Sequence, residues 1–181
     1  MANGILKVGD IQTSSGSGTI TIGQSGETVN FPSGVTVSGL PASGKVLQVV
    51  NATDSTERFT TSTSFVTASN TLSVSITPSL SSSKILLFAN CGGVYVNASA
   101  QYIYLTIFRD ATNIGDATYG LTEIRSHSTG DLGYPTSIQV YDSPSTTSSL
   151  TYQVYFRTTT STANLNTSGA LASITAMEIG A

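Results

Sequence analysis

Few side chains in this sequence could do chemistry. His127 is its one histidine and Cys91 its one cysteine. A metal site built on two histidines therefore cannot form within one chain. Three copies of His127 could meet on a threefold axis, but Arg125-Ser-His127-Ser-Thr-Gly130 reads as a polar loop. Cys91 ends an apolar run and reads as a small buried hydrophobe. As a nucleophile it would need a base, and His127 is the sole histidine to supply one. No G-x-S-x-G elbow is present to raise a serine nucleophile. Asp110, Asp116, Glu123, Asp131 and Asp142 fall mostly where turns and loop starts are expected, and aspartate stabilises such turns locally. A pair of these carboxylates is the one route to glycoside hydrolysis. No D-x-D-x-D calcium loop occurs, and Gly16-Ser-Gly18 lacks the lysine of a phosphate loop. The expectation is a non-enzyme with no catalytic, cofactor-binding or metal-binding residues.

Composition points the same way. Only 9% of residues are charged and the net charge is -3, against about a quarter charged in ordinary domains. Serine and threonine make up 56 of the 181 residues. Seven scattered Lys and Arg argue against a nucleic-acid partner. The longest apolar run, near Ile85 to Ala89, is far below the ~20 residues of a membrane span. With no basic start leading into an apolar stretch, a product made in the cytoplasm, with no membrane insertion, is expected.

The elements that would position any site are strands. Thr71 to Thr77 alternates, with Leu72, Val74 and Ile76 on one face. Tyr102 to Arg109 places Ile103, Leu105 and Ile107 on one face and Tyr102, Tyr104 and Phe108 on the other. Leu150 to Arg157 turns Tyr152, Val154 and Phe156 inward. Lys84 to Cys91 is apolar on both faces, as expected for a strand buried between two layers. Val46 to Val50, Ser137 to Tyr141 and Ser173 to Ile179 complete the set. Seven or eight strands over residues 46–181 predict an all-β, jelly-roll-like sandwich. Tyr95, Tyr102, Tyr104, Tyr141 and Tyr155 supply aromatic surface opposite the aliphatic faces. They read either as a subunit interface or glycan contact, or as the cover of a second sandwich face.

Residues 1–45 differ. Gly18-Thr-Ile-Thr-Ile-Gly23, Glu27-Thr-Val-Asn-Phe-Pro-Ser-Gly34 and Val35-Thr-Val-Ser-Gly39 form a loose repeat of very short strands. Ile20, Ile22, Val29, Phe31, Val35 and Val37 give each unit about two apolar residues, too few to bury a core alone. Partner chains would cover them in a threefold stalk. The alternative is a flexible Gly/Ser linker.

Four segments carry a family resemblance: Ser83-Lys-Ile-Leu-Leu-Phe-Ala89, Leu105-Thr-Ile-Phe-Arg-Asp-Ala-Thr-Asn-Ile-Gly115, Tyr141-Asp-Ser-Pro-Ser-Thr-Thr-Ser-Ser-Leu-Thr-Tyr152 and Ser173-Ile-Thr-Ala-Met-Glu-Ile179. Together they resemble the C-terminal domain of tail-fibre-like virion proteins of tailed bacteriophages, especially those of aquatic bacteria. The resemblance implies a homotrimer on the virion surface. Residues 1–45 would attach it to other virion proteins, and a sandwich head would face outward, able to meet host surface polysaccharide. The short chain departs from host-binding fibres, which are usually much longer. A capsid decoration protein or head fibre, and a carbohydrate-active or sugar-binding module, are the alternatives.

Overall fold

Alternation in these segments is realised as strands whose inner and outer faces differ sharply. The computed structural model describes residues 28–30, 33, 44–126 and 133–180. The chain divides into residues 1–40 and 41–181, and every element below lies in the second part. Of the stalk residues, Val29 is described and 44% exposed; Ile20, Ile22, Phe31, Val35 and Val37 lie outside the described residues, as do His127 and Asp131.

Eleven strands follow one another: β1 (Val46–Asp54), β2 (Arg58–Thr60), β3 (Ser73–Ile76), β4 (Lys84–Val96), β5 (Tyr102–Arg109), β6 (Thr112–Asn113), β7 (Thr122–Arg125), β8 (Tyr134–Asp142), β9 (Leu150–Thr158), β10 (Ala163–Leu165) and β11 (Ala172–Ile179). They form two antiparallel sheets. In sheet 1, β4 pairs with β8 on one edge, and with β11 and then β10 along the other. β1 pairs with β11, and β2 with β10. β1/β2 and β10/β11 are therefore two broken strands, and the sheet has four rows: β1/β2, β11/β10, β4, β8. Sheet 2 runs β3, β9, β5, with β6 and β7 sharing the far edge of β5. Counted by rows, the chain crosses between sheets at every connection but the one from β5 to β6 and β7, and this order of eight rows is that of a double Greek-key jelly roll. The fold is an all-β sandwich, as the spacing of the strands predicts.

The core lies between the sheets. Leu72, Val74 and Ile76 meet Ile103, Leu105 and Ile107, Tyr152, Val154 and Phe156 within sheet 2; Ile85, Leu87, Ala89, Ile174 and Ala176 face them from sheet 1, all at most 5% exposed. Each fully buried Leu, Ile or Phe contributes about 1.5–3 kcal/mol. Cys91 is 1% exposed, and its burial pushes the thiol up to about 12, which suits a packing role.

One expectation fails. β4 is buried on one face only: Ile85, Leu87, Ala89 and Cys91 point inward, whereas Phe88 is 39% exposed and Leu86 partly so. β4 also continues beyond Cys91 through Gly92 and Gly93, with a register shift against β8 between Cys91 and Val94. The reason is the break in the neighbouring row. A Cβ at Gly92 would stand 2.6 Å from the Cβ of Ala170. Asn166, buried and left-handed at φ 59°, starts that break. Its Nδ2 donates to the carbonyls of Asp54 and Thr56, each at 3.3 Å.

Candidate functional site

The two outer faces of the sandwich carry the chemistry that is left, and they are built differently. On sheet 2, alternation in β5 and β9 turns Tyr102, Tyr104, Phe108, Tyr155 and Arg157 away from the core. Two connections then lie across them. Segment 61–65 runs beside β9, with Thr158 N donating to Ser62 O at 3.0 Å. The β6–β7 loop folds back over β5. Asn113 Oδ1 accepts from Thr106 Oγ1 at 2.6 Å and Gly115 N at 3.0 Å, and Asp116 Oδ1 accepts from Thr118 N and Tyr119 N at 2.7 Å. These bonds hold the Asp116 carboxyl below its usual range. Gly120 closes the loop at φ 68°, where a Cβ would stand 2.4 Å from the Leu105 carbonyl oxygen.

The result is a braced aromatic cluster. Phe108 and Tyr155 stack at 4.0 Å, Tyr102 and Tyr104 at 5.9 Å, and Tyr119 tilts over Tyr104 at 5.9 Å. The Arg157 guanidinium lies 4.2 Å above Tyr104 and 5.3 Å from Phe65. It donates to the Thr63 and Thr118 carbonyls, one on each crossing segment. Arg125 sits 5.4 Å over Tyr102. Tyr104 is thereby only 5% exposed. Burial, then the charge and hydrogen bond of Glu123, raise its phenol above the ordinary value against the opposing pull of Arg157. Tyr119, at 57%, remains open.

Sheet 1 has no such cover among the described residues. Its register sets outward side chains in rows across the sheet. Val49, Met177, Leu86 and Tyr141 are partners in turn and form an apolar ridge. Val49 is 53% and Tyr141 57% exposed. Two residues along stand Asn51, Thr175, Phe88 and Gln139; two further, Thr53, Ser173, Asn90 and Ser137. These smaller side chains leave a hollow of about 450 Å³ beside Phe88. The polar members bond within the sheet: Asn51 Nδ2 donates to Thr175 Oγ1 (2.8 Å) and the Ile174 carbonyl (3.0 Å), and Ser137 Oγ to Asn90 Oδ1 (3.0 Å).

The structure thus divides the five tyrosines singled out in the sequence. Tyr102, Tyr104 and Tyr155 belong to the sheet 2 cluster. Tyr141 lies on the sheet 1 ridge. Tyr95 faces outward at the far end of sheet 1, in the row of Asn164 and the 69%-exposed Phe59. Sequence reasoning missed Phe65 and Tyr119, whose places are set by the crossing loops, and Met177 and Val49, which only register aligns with Leu86.

No family model matches the chain, and it has no significant match among curated proteins.

Most of the described carboxylates are engaged in holding the fold. Glu178 is fully buried and accepts from Gln48 Nε2 (2.6 Å), Ser79 N (2.6 Å), Ser83 Oγ (2.7 Å) and Ser79 Oγ (3.2 Å). Burial pushes its pKa up, but the donors from Gln48, Ser83 and Ser79 outweigh this and hold it below the ordinary value. Asp54 behaves alike, with donors from Thr71 N, Thr56 N and Arg58. Asp142 ties the sheets together: Arg109 Nη1 reaches both its oxygens (2.9 and 2.8 Å), and the buried Tyr152 hydroxyl donates at 2.6 Å. Burial, then that carboxylate, raise Tyr152 strongly. Asp110 occupies a turn, accepting from Thr151 N at 2.9 Å, whereas Glu123 stands within β7 rather than at a loop start. Among the described residues, no three His, Cys, Asp or Glu side chains gather closely enough to hold a metal.

Proposed function

We propose that this chain is a non-enzymatic structural protein of a tailed-phage virion surface, a short homotrimeric tail fibre whose jelly-roll head faces outward. The observation that carries this reading is how the described titratable groups are used. Glu178, Asp54 and Asp142 are each held by several hydrogen bonds or an ion pair that close the fold, and Asp116 Oδ1 caps its own loop. Much of what the head offers its surroundings is neutral, Ser, Thr, Asn and aromatic rings, with a few exposed charges such as Glu57, Asp110, Glu123 and Arg125. Such a surface suits packing against other protein and against sugars. The resemblance of the β4, β5–β6, β8–β9 and β11 segments to phage tail-fibre heads supports the same reading.

A sugar-binding role of that head rests on Tyr119, Tyr102 and Arg125. An open ring and a flanking guanidinium suit stacking on a pyranose face with a hydrogen bond at its rim. A capsid location is the alternative to the tail. Imaging of intact particles carrying a labelled copy of the chain tests both. A few multiples of three copies at the tail are expected. Tens to hundreds over the capsid replace the tail assignment, and no label on the particle overturns the reading. A glycan array with the full chain tests sugar binding, and loss of signal in Tyr119→Ser is the expected control.

A further inference from the structure

The outer face of sheet 1 is an apolar surface with its own relief. Its ridge of Val49, Met177, Leu86 and Tyr141 and its hollow by Phe88, Asn90, Ser137 and Ser173 lie side by side on the same strands. From Leu86 to Asn90 is about 13 Å at ~3.3 Å per residue. We propose that copies of this chain associate through this face, the ridge of one filling the hollow of the next.

Three observations choose a second copy as the occupant. First, the face is neutral. Of its outward residues on β1, β4, β8 and β11, only Lys84, at a corner opposite Ile179, carries charge. A charged partner would find nothing to pair with, and a charge-poor surface meets its match in a chain that is itself 9% charged. Second, four of its polar side chains, Asn51, Thr175, Ser137 and Asn90, already bond in pairs, so covering them strands fewer donors or acceptors. Third, the relief is complementary within one surface: large flexible side chains beside a hollow floored by Ser and Thr. The size also fits. Four rows about 4.8 Å apart and about eight residues long present roughly 500 Å² in projection. A standard interface takes ~800 Å² of accessible surface from each partner, and ridged surface exceeds its projection.

Ridge and hollow lie side by side on one face and would also fit reciprocally across a two-fold; in the trimeric reading, which has no two-fold, the contact is head-to-tail. Such contacts close into rings when the rotation allows. In a ring of three, each copy offers its ridge to one neighbour and its hollow to the other. The number three rests on the trimeric reading above; the surface does not.

The test is a pair of cysteines in the full chain, Met177→Cys with Ser137→Cys, treated with a short bis-maleimide. Cys91 is buried and stays unreacted. The double variant should yield covalent species of two and three chains, and each single variant only the unlinked chain. Adding Leu86→Lys should lower the linked fraction at least tenfold, whereas Tyr119→Ser, on sheet 2, should leave it unchanged. Light scattering on the same samples separates the outcomes. Three chains with no linkage overturns this surface and leaves the trimer standing. Linkage within two-chain particles upholds the surface and overturns the number three. Single chains alone overturn both.

Discussion

The outer faces of the two sheets start from the same pattern, aromatic and aliphatic residues alternating with the core set, and end as opposites. On sheet 2 the exposed rings are covered: segment 61–65 and the β6–β7 loop cross them, and Arg157 ties both segments down. On sheet 1 the ridge stays open, with Val49 and Tyr141 more than half exposed. A side chain's alternation decides which face it joins. The connections between strands decide whether that face becomes a second, small core or a surface left for something else. The two faces should therefore respond differently to mutation, and the ordering can be checked.

The largest effect is expected inside the covered cluster. Tyr104→Ala empties a site 5% exposed beneath Arg157 and Tyr119. Loss of about 3 kcal/mol of stability is expected, in line with large-to-alanine changes in cores. Urea unfolding measures it. A loss below about 1 kcal/mol would mean that the cluster is surface decoration and that the two faces do not differ.

Next comes the loop that makes the cover. Gly120→Ala forces a side chain into φ 68° and against the Leu105 carbonyl. A left-handed non-glycine residue alone costs about 1 kcal/mol or more, and the collision adds to it, so about 2–3 kcal/mol is expected. Proteolysis should then cut within 113–120 before the rest of the head. Unchanged resistance would show that the loop tolerates the shift and is not what seals sheet 2.

Sheet 1 also buries charge. Glu178 points inward from β11, next to the ridge residue Met177. Its folded pKa lies below the unfolded value near 4.5. It therefore stabilises the fold above that value, and the stability is lost as pH falls through the folded pKa. Glu178→Gln should cost about 2 kcal/mol at pH 7 and flatten the acid limb of stability against pH. Asp54, whose pKa is also lowered, should preserve part of that limb. An acid limb identical in wild type and variant would remove Glu178 from the account.

How much of this was legible in the sequence depends on how each strand is covered. β3 was readable because its outer side is serine: Leu72, Val74 and Ile76 could only be the core set. β5 and β9 were readable for their inner faces. β4 was misread, because a strand with an apolar outer face has the same sequence as one buried on both sides. Leu86 and Phe88 are distinguished only by what covers them. Gly92 and Gly93 are where β4 passes the break at Asn166. β2, β6 and β10 are two or three residues long and hold no period. Glu178 was readable in principle, since it shares the face of Ile174 and Ala176. The opposition of ridge and hollow was not readable, because it is made by register, which pairs Val49, Met177, Leu86 and Tyr141 from four distant parts of the chain.

A smaller effect should follow from Arg157→Lys. The ammonium keeps the charge but cannot reach both carbonyls while lying flat on Tyr104 and Phe65. About 0.5–1 kcal/mol is expected, with the near-ultraviolet tyrosine signal altered more than the melting temperature. An unchanged tyrosine signal would mean that the rings hold their places without the guanidinium.

The smallest effect on folding belongs to Tyr141→Ser, on the open ridge. A side chain 57% exposed with its sheet intact beneath it should cost no more than about 0.5 kcal/mol within one head. If the ridge is a contact between copies, the same change should still act, but through concentration. The melting temperature of wild type would rise with protein concentration and that of Tyr141→Ser would rise less, because association stabilises by mass action. A residue that matters to the assembled form and not to the single head is what separates sheet 1 from sheet 2. A concentration-independent loss as large as that of Tyr104→Ala would place Tyr141 in the fold itself and erase the distinction.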